Sequence, residues 1–176
     1  MNHQIKLFID QLQGMAAQQF PVGPVSALLR EHELLLDFFT PYIFYRPDRY
    51  TRNLVYHSPE FEILILAWGP HHISPIHGHE GAKCWMRVLD GTLKFMNYDE
   101  EKEGTVHQTI SMMGGPGFVD GPAVIHAVEN PTELPAVSLH LYARPYRQCD
   151  VYKPECGQKV KMQIHYDTMY GKPVEE

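Results

Sequence analysis

"SPIHGHEGAKCWMRVLDGTLKF", residues 74–95, places two histidines just before an apolar run that contains a cysteine. If "PIHGH" is extended, His77 and His79 project from the same face of a strand, with their Cα atoms about 7 Å apart. Two imidazoles so placed can bind one metal ion, although a pair of partly exposed edge histidines has the same spacing. Cys84, taken by itself, is interpreted as a small buried hydrophobic residue.

The sequence around this stretch predicts a chain made mostly of strands. From Tyr50 onward, short β-rich runs alternate with Gly, Pro and acidic turns, a spacing typical of an all-β barrel or sandwich. Asp90-Gly91 predicts a two-residue hairpin between "KCWMRVL" and "TLKFMNY", because glycine tolerates the positive φ of such turns. The other strand-like runs are "FEILILAW", "VHQTISM", "AVIHAVE", "AVSLHLY" and "KVKMQIHY".

The N-terminal part of the chain has a helical periodicity instead. Apolar residues recur at helical spacing between residues 4 and 40. "GPVSALLREHELLLDFF" predicts a second helix in which Pro24 occupies the first helical position. Thr40-Pro41 is expected to end that helix.

Length and composition limit the kind of protein. A chain of 176 residues with 44% hydrophobic and 20% charged positions fits one globular domain. A net charge of −6 without blocks of Lys or Arg argues against a nucleic-acid partner. No apolar run reaches the length of a membrane span, and the N-terminus lacks the features of a secretory signal. The three cysteines match no zinc or disulfide spacing, which favours a reducing cytoplasm.

A third histidine lies in a later strand-like run. "PAVIHAVEN" places His126 on an apolar strand, with Asn130 four residues further on and Pro122 in the turn before it. A single histidine in such a strand is usually a core residue whose ring is hydrogen-bonded. Together with His77 and His79, it completes a candidate set of three metal ligands.

These motifs resemble those of cupins, in which HxH and a distal HxxxN supply the metal ligands. Cupins normally have Glu where this chain has Cys84, but one branch, the cysteine dioxygenases, has Cys. The resemblance covers residues 45–170 and includes "RYTRNLV", "AWGP", "AKCWMRVLDGTLK", "IHAVEN", "PAVSLHLY" and "KVKMQIH". On these motifs the chain is identified as a bacterial-like, arginine-type member of the cysteine dioxygenase type I family.

The resemblance implies a mainly β fold and a single cupin domain. We expect residues 1–45 to form helices packed on a jelly-roll-like β-barrel, which would occupy residues 46–170. Residues 171–176 would form a solvated tail. The resemblance also favours a monomer.

The resemblance implies that His77, His79 and His126 bind Fe(II). Three neutral imidazoles suit Fe(II), and without a carboxylate ligand the site keeps the full charge of the metal, which favours a thiolate substrate. Zinc fits the same ligands, so the ligand set alone leaves the metal open. The resemblance further implies a thioether cross-link between Cys84 and the ring of Tyr142, a protein-derived cofactor that restricts the phenol.

Further catalytic residues are expected in "VSLHLY". Ser138, His140 and Tyr142 alternate and therefore share one face of a strand. The resemblance implies a relay from Ser138 through His140 to the hydroxyl of Tyr142. The alternative is an exposed polar face.

Arg52 in "RYTRNLV" is the expected ligand of a substrate carboxylate, because a guanidinium offers a planar fork that matches two carboxylate oxygens. The resemblance adds Tyr50 to this substrate-binding pair, whereas relatives acting on 3-mercaptopropionate typically have Gln at the arginine position. Arg144 stands where mammalian-type members have the first of two prolines. A trans peptide bond is expected before it, since cis bonds before non-proline residues cost several kcal/mol. Its guanidinium either enters the pocket or points to solvent.

The function implied by the resemblance is oxidation of L-cysteine by O2 to cysteine sulfinate, a step of cysteine catabolism, by an iron-dependent dioxygenase. One alternative is a dioxygenase of another small thiol, such as 3-mercaptopropionate. Another is a non-catalytic cupin that binds a metal or a small ligand. Expected partners are the thiol and O2, with no nucleic acid and no membrane.

Overall fold

The computed structural model describes residues 1–102 and 104–174, which form two facing β-sheets with helices on one outer side. The helical elements are α1 (His3–Ala16), α2 (Val22–Glu31), α3 (Leu36–Phe39) and the 3-10 helix Thr40–Tyr42. None of the described helices is long and apolar enough to cross a lipid bilayer. The strands are β1 (Thr51–His57), β2 (Glu62–Trp68), β3 (Ile76–Gly78), β4 (Lys83–Asp90), β5 (Leu93–Lys102), β6 (Thr105–Gly114), β7 (Val119–Ala123), β8 (Ile125–Glu129), β9 (Ala136–Ala143), β10 (Gln148–Lys153), β11 (Gln158–Gln163), β12 (Thr168–Met169) and β13 (Lys172–Pro173).

The strands are divided between a seven-stranded and a six-stranded sheet. The first has the order β13-β12-β1-β2-β9-β4-β7, and the second has the order β11-β10-β3-β8-β5-β6. Strands β1 and β12 pair in parallel, whereas β2 pairs antiparallel with both β1 and β9. The mainly β, jelly-roll-like prediction is confirmed, but the two sheets face each other as a sandwich and do not close into a barrel.

The central strands of the seven-stranded sheet are covered on both faces. Leu139 and Leu141 of β9 pack outward in one apolar cluster with residues of α1 and α2. Leu64 of β2 packs inward in a second cluster, with residues of the six-stranded sheet such as Phe95 and Val128. Because both faces are covered, all seven residues of β2 are buried. The interior between the two sheets is where the candidate site residues lie.

Two side chains of β4 attach the helices to the sheet. The indole N–H of Trp85 donates to the hydroxyl of Ser26 in α2 at 3.2 Å. Arg87 donates from Nη1 to the carbonyl oxygens of Leu29 and His32, at 2.7 and 2.8 Å. These carbonyls lie at the C-terminal end of α2, where helix carbonyls lack intrahelical partners.

The second predicted helix was placed incorrectly at both ends. It begins at Val22, before Pro24, and it ends at Glu31, long before Thr40-Pro41. The backbone of His32 is extended, and the guanidinium of Arg87 satisfies the carbonyls that the ended helix leaves free. The helical periodicity did not reveal this stop because the residue that supports it comes from a distant strand.

The predicted hairpin at Asp90-Gly91 is wrong. Strand β4 pairs with β7 and β9, whereas β5 pairs with β6 and β8 in the other sheet. Gly91 has the expected positive φ of 73°. A Cβ at this position would lie 2.7 Å from the Cβ of Ala136, because the turn passes close to the start of β9. The dipeptide therefore carries the chain from one sheet to the other.

The run "AVIHAVE" is divided between the two sheets as well. Strand β7 ends at Ala123 in the seven-stranded sheet, and β8 begins at Ile125 in the six-stranded sheet. Val124, between them, is 78% exposed. This change of sheet places His126 in the same sheet as His77.

The predicted tail, 171–176, is described as far as Val174, and residues 175 and 176 lie outside the described residues. Lys172–Pro173 pairs with β12 at the edge of the seven-stranded sheet. The backbone N–H of Val174 donates to the carbonyl of Asp167 at 3.0 Å. The described part of the tail is thus exposed but attached to the sheet.

Replacement of Gly91 tests the close approach of the sheet-crossing turn to β9. We expect Gly91→Ala to lower the free energy of unfolding by about 2–4 kcal/mol, because it combines an unfavourable φ with a steric clash. Gly117→Ala is the matched control, since Gly117 also has a positive φ but has no neighbouring atom within 4 Å of the position that a Cβ would take. The control should lose only about 1–2 kcal/mol. Equal losses in denaturant unfolding would show that the contact with Ala136 is unimportant.

Candidate metal centre and active site

Three histidines meet in the interior on the six-stranded sheet. His77 of β3 lies directly opposite His126 of β8 in the strand register, and His79 follows the end of β3. One ligand nitrogen of each ring lies within 4.8 Å of the others. The ring centroids are separated by 4.7, 4.8 and 5.0 Å. The structure therefore brings together the three predicted metal ligands.

The nitrogen atoms of this cluster fit a bound metal ion. His77 Nδ1 lies 2.9 Å from the carbonyl oxygen of Pro75 and donates to it, which leaves Nε2 with a free lone pair. Both ring nitrogens of His79 and Nδ1 of His126 are buried without a hydrogen-bond partner among the described residues. Burial lowers the pKa of all three rings, to about 4 for His77, so the imidazoles are neutral. Neutral, unpartnered imidazoles are the form in which histidine binds divalent metals.

Asn130, the last residue of the HxxxN motif, supports the loop after β8. It is fully buried, and its amide nitrogen donates to the carbonyls of Gly69 and Leu134 at 3.0 and 2.8 Å. Its side-chain oxygen accepts from the backbone N–H and the hydroxyl of Thr132. All of its hydrogen-bonding groups are therefore occupied by the protein.

A buried chain of hydrogen bonds runs along β9 on the inner face. The indole N–H of Trp68 donates to Ser138 Oγ at 2.9 Å, Ser138 Oγ lies 2.9 Å from His140 Nε2, and His140 Nδ1 lies 3.2 Å from the Tyr142 hydroxyl. The predicted alternation of Ser138, His140 and Tyr142 is confirmed, and all three are buried rather than exposed.

The two ends of this chain carry fixed donors. Trp68 can only donate, so Ser138 Oγ accepts from its indole N–H. Burial lowers the pKa of His140 to about 3, so the ring is neutral and carries one proton, which bonds either Ser138 or Tyr142. At the other end, Arg52 donates to the Tyr142 hydroxyl at 3.3 Å. The Tyr142 hydroxyl therefore accepts from Arg52 and pairs with His140 Nδ1.

Cys84 and Tyr142 are direct neighbours in one sheet and do not face each other across the interior. They lie opposite each other in the register of β4 and β9. Burial raises the pKa of both groups, and each group lies close enough to Arg52 for its positive charge to oppose that rise. Residues directly opposite on antiparallel strands have their Cβ atoms about 5 Å apart. The sulfur is therefore close to the phenol ring, as a thioether cross-link requires.

Arg52 on β1 is a buried cation beside this phenol. Its guanidinium carbon lies 5.4 Å from the centre of the Tyr142 ring and 5.9 Å from that of Tyr146. Nη1 donates to Tyr142, whereas Nε and Nη2 are buried and have no hydrogen-bond partner among the described residues. A buried guanidinium with unpartnered donors is a candidate site for an anion.

A cleft of about 430 Å³ leads from the surface to Arg52 and Tyr50. Tyr50 stacks on Trp68, with ring centroids 4.6 Å apart, which places it next to the start of the hydrogen-bond chain. Another wall is formed by the end of β11 and the chain that follows it. Its cleft-lining residues are Met162, Gln163, Ile164, His165, Tyr166 and Asp167.

The prediction of a trans bond before Arg144 is wrong. The peptide bond between Ala143 and Arg144 is cis, and the expectation failed because proline lowers the cost of this geometry without being a requirement for it. The Arg144 side chain is exposed, and its Nη2 donates to the carbonyl of Glu80 at 3.2 Å. The side chain does not line the cleft that contains Arg52.

Tyr146 lies at the site although no pattern in the sequence selected it. Its ring centroid lies 5.0 Å from that of Tyr142 and 5.8 Å from that of His79. It is buried, and it follows Pro145 in the connection between β9 and β10, where neither strand alternation nor a motif marks it. Only its tertiary contacts identify it.

Solved structures with a similar fold support the assignment to a known fold class. One is a protein with a double-stranded β-helix domain from Klebsiella pneumoniae, 13% identical, with a TM-score of 0.55 over 69% of this chain and 93% of that chain. Another is an oxalate oxidase, 14% identical, with a TM-score of 0.50 over 62% of this chain and 57% of that chain. The fold and the histidine cluster together define a protein of the double-stranded β-helix class with a candidate metal centre.

Sequence comparisons narrow this class to one family. Cysteine dioxygenase type 1 of Rattus norvegicus is 30% identical over 168 residues, which covers 89% of this chain and 82% of the rat protein. The human protein of the same name is also 30% identical, over 163 residues and with the same coverage. The family model described as cysteine dioxygenase type I matches residues 4–155. The chain belongs to the cysteine dioxygenase type I family.

Removal of one histidine tests the metal centre. We expect His126→Leu to weaken binding of Fe(II) or Zn(II) by more than about 100-fold, because loss of even an outer-shell partner costs 10- to 100-fold. Without metal, the variant should be as stable as the parent chain, since it removes a buried nitrogen that has no partner. His71→Ala, at an exposed loop residue, is the control. Unchanged affinity in a chelator competition assay would contradict the proposed centre.

Proposed function

We propose that this chain is an Fe(II)-dependent thiol dioxygenase that converts L-cysteine and O2 to 3-sulfinoalanine. Family membership supports thiol dioxygenase chemistry, and the three-histidine cluster supports a bound metal. The buried guanidinium of Arg52, with two nitrogens that have no hydrogen-bond partner among the described residues, is the single observation that favours a thiol bearing a carboxylate group as the substrate. Both atoms of O2 pass to sulfur, so the reaction needs no external reductant. The proposal includes a monomer in a reducing cytoplasm.

Arg52 would hold the substrate by its carboxylate. Its unpartnered Nε and Nη2 form one edge of the guanidinium plane, and this edge presents two parallel N–H donors. Such an edge matches both oxygens of a carboxylate. Tyr50 lines the same cleft and would contribute a further contact from the opposite side of the substrate.

Tyr142 would act as a hydrogen-bond donor to the bound reactants. Burial raises its pKa, so the hydroxyl is protonated, and Arg52 donates to it. With the proton of His140 on Nδ1, His140 would donate to the hydroxyl as well and leave the Tyr142 proton for the reactants. Ser138 and His140 would keep the hydroxyl in this orientation without contacting the substrate themselves. Bound Fe(II), held by His77, His79 and His126, would supply the redox chemistry with O2.

The proposed cofactor also includes a thioether bond between Cys84 and Tyr142. Its formation joins the sulfur to the ring carbon beside the hydroxyl and removes the thiol hydrogen and one ring hydrogen. The two electrons and two protons released pass to O2. The direct opposition of the two residues in β4 and β9 supports this reaction.

Arg52→Gln tests the role of the guanidinium in substrate binding. We expect kcat/KM for L-cysteine to fall between roughly 30-fold and several thousand-fold, since breaking a buried charge pair costs about 2–5 kcal/mol. Oxygen consumption and sulfinate formation are measured together, with anaerobically iron-loaded protein. Arg144→Gln is the matched control, because this arginine is exposed and lies outside the cleft.

Parallel substrates distinguish the alternatives. Cysteamine has no carboxylate, so its turnover should be poor and should not change in the Arg52→Gln variant. A higher kcat/KM for 3-mercaptopropionate than for L-cysteine would support the thiol dioxygenase reaction but show that L-cysteine is not the preferred substrate. If iron is bound but no thiol causes oxygen uptake, the dioxygenase proposal is wrong. The remaining alternative is then a non-catalytic cupin that binds a metal or a small ligand.

The cross-link is tested by intact mass. After aerobic turnover with iron and cysteine, a fraction of the chain should be lighter than the encoded sequence by a pair of hydrogen atoms. Cys84→Ser should show no such species, and a peptide map should locate the change to the fragments that contain residues 84 and 142. A full-mass chain after many turnovers would contradict the thioether proposal.

A further inference from the structure

Glu62 is a buried charge that the proposed reaction does not use. It is the first residue of β2, and its side chain is fully buried in an otherwise apolar strand. Oε2 accepts a hydrogen bond from Arg147 Nη1 at 3.1 Å and another from the hydroxyl of Tyr166. Oε1 is buried without a partner among the described residues. Burial of a carboxylate lowers the stability of the fold unless its hydrogen-bond partners are well placed, so we ask what these partners do in the structure.

Glu62, Arg147 and Tyr166, together called the Glu62 cluster, join three separate parts of the chain. Glu62 begins β2, Arg147 lies just before β10, and Tyr166 follows β11. The guanidinium of Arg147 also lies 4.9 Å from the centre of the Tyr166 ring. The backbone carbonyl of Arg147 accepts a hydrogen bond from the N–H of Ile164 at 3.0 Å. The cluster thus attaches the chain after β11 to the seven-stranded sheet.

The attached chain, residues 164–167, forms one wall of the cleft that leads to Arg52. Its other end is held by Asp167, whose carboxylate accepts from the guanidinium of Arg49 at 2.6 Å and from the backbone N–H of Arg52 at 2.9 Å. The side chain of Tyr166 packs against the interior cluster that contains Tyr142 and Tyr146. The wall is therefore held at Ile164 and Tyr166 by the Glu62 cluster, and at Asp167 by Arg49 and the backbone of Arg52.

The orientation of Glu62 relates the cluster to the site. Glu62 lies directly opposite Tyr142 in the register of β2 and β9. Residues opposite each other in an antiparallel pair project from the same face of the sheet. The carboxylate that holds Tyr166 therefore lies on the same inner face as the Tyr142 phenol. A shift of Tyr166 would change the cleft next to the residues proposed to hold the substrate.

We propose that the Glu62 cluster fixes residues 164–167 and so sets the width of the cleft, which makes Tyr166 a specificity-determining positioning residue. The width selects a thiol of the length of cysteine against one that is longer by a methylene. The substrate part rests on the proposed function, whereas the positioning part does not.

The positioning role is tested on metal-free protein by amide hydrogen exchange. Tyr166→Phe removes only the hydroxyl, and we expect the amides of Ile164 and Asp167 to exchange roughly tenfold faster or more, because a hydrogen bond to a charged group has been lost. Glu62→Met should have the same effect. The double variant Glu62→Met with Tyr166→Phe should exchange little faster than either single variant, since both changes remove the same hydrogen bond. Unchanged exchange would overturn the proposal, whatever the activity.

Two further variants separate positioning from general loosening. Glu62→Gln keeps an oxygen that can accept from Tyr166, so exchange at Ile164 and Asp167 should return towards the parent rate. Tyr170→Phe changes an exposed tyrosine on the nearby β12–β13 turn and should leave exchange unchanged. Faster exchange in Glu62→Gln, equal to that in Glu62→Met, would overturn the role of the hydrogen bond. Amides of β2 and β9 report whether each variant is folded.

The specificity role is tested by steady-state kinetics with L-cysteine and homocysteine, which differ by one methylene. The parent chain should prefer cysteine by roughly 10- to 200-fold. In Tyr166→Phe we expect KM for cysteine to rise about tenfold with little change in kcat, and the preference to fall by about tenfold. An unchanged preference despite faster exchange would overturn the specificity role. If the parent chain is inactive with every thiol, the proposed function has failed and the exchange data alone confirm or overturn the positioning role.

Discussion

The structure depends on one constraint, which is that the central strands of the seven-stranded sheet, β2 and β9, are buried on both faces. Strands β2 and β9 lie between the helices and the six-stranded sheet, so each residue must suit one of two buried environments. Successive residues of a strand point to opposite sides. Leu139 and Leu141 therefore face the helices, and the residues between and beside them face the interior. The register of β9 decides both the packing of the helices and the chemistry of the site.

A polar interior is tolerated here because most of its groups satisfy one another. Ser138, His140 and Tyr142 form one continuous set of hydrogen bonds, and the side chain of Asn130 bonds both within its own loop and to the loop after β2. Several positions break this pattern, among them the histidine cluster, Arg52 and Glu62. Each retains buried polar atoms without partners among the described residues, and such groups are expensive unless a ligand binds them. Among these atoms, the nitrogens of the histidines suit a metal and those of Arg52 suit an anion.

Local patterns in the sequence predicted those features that depend on local geometry. The alternation in "VSLHLY" placed Ser138, His140 and Tyr142 on one inner face, and the spacing of "PIHGH" placed His77 next to His79, as the structure shows. The roles of these residues stay predictions. The turn at Gly91 was predicted as a turn, but turn residues specify a backbone conformation and say nothing about which strands then pair.

Features that depend on distant contacts were not predictable in this way. The end of α2 depends on Arg87, and the position of Tyr146 depends on the path of the chain between two strands. Glu62 did leave a signal, since it is an acidic residue in the apolar run "FEILILAW". Its partners Arg147 and Tyr166 are separated from it by 85 and 104 residues, so their proximity could be found only in the folded chain.

The hydrogen-bonded residues along β9 have a consequence for proton supply. The chain starts at the indole of Trp68, which is 1% exposed, and it ends at Tyr142 beside a second fixed donor, Arg52. Neither an indole nor a guanidinium gives up its proton near neutral pH. A proton lost from Tyr142 during a reaction is therefore not replaced from the far end of the chain. It has to come back through the cleft beside Arg52, which makes the cleft the path for protons as well as for substrates.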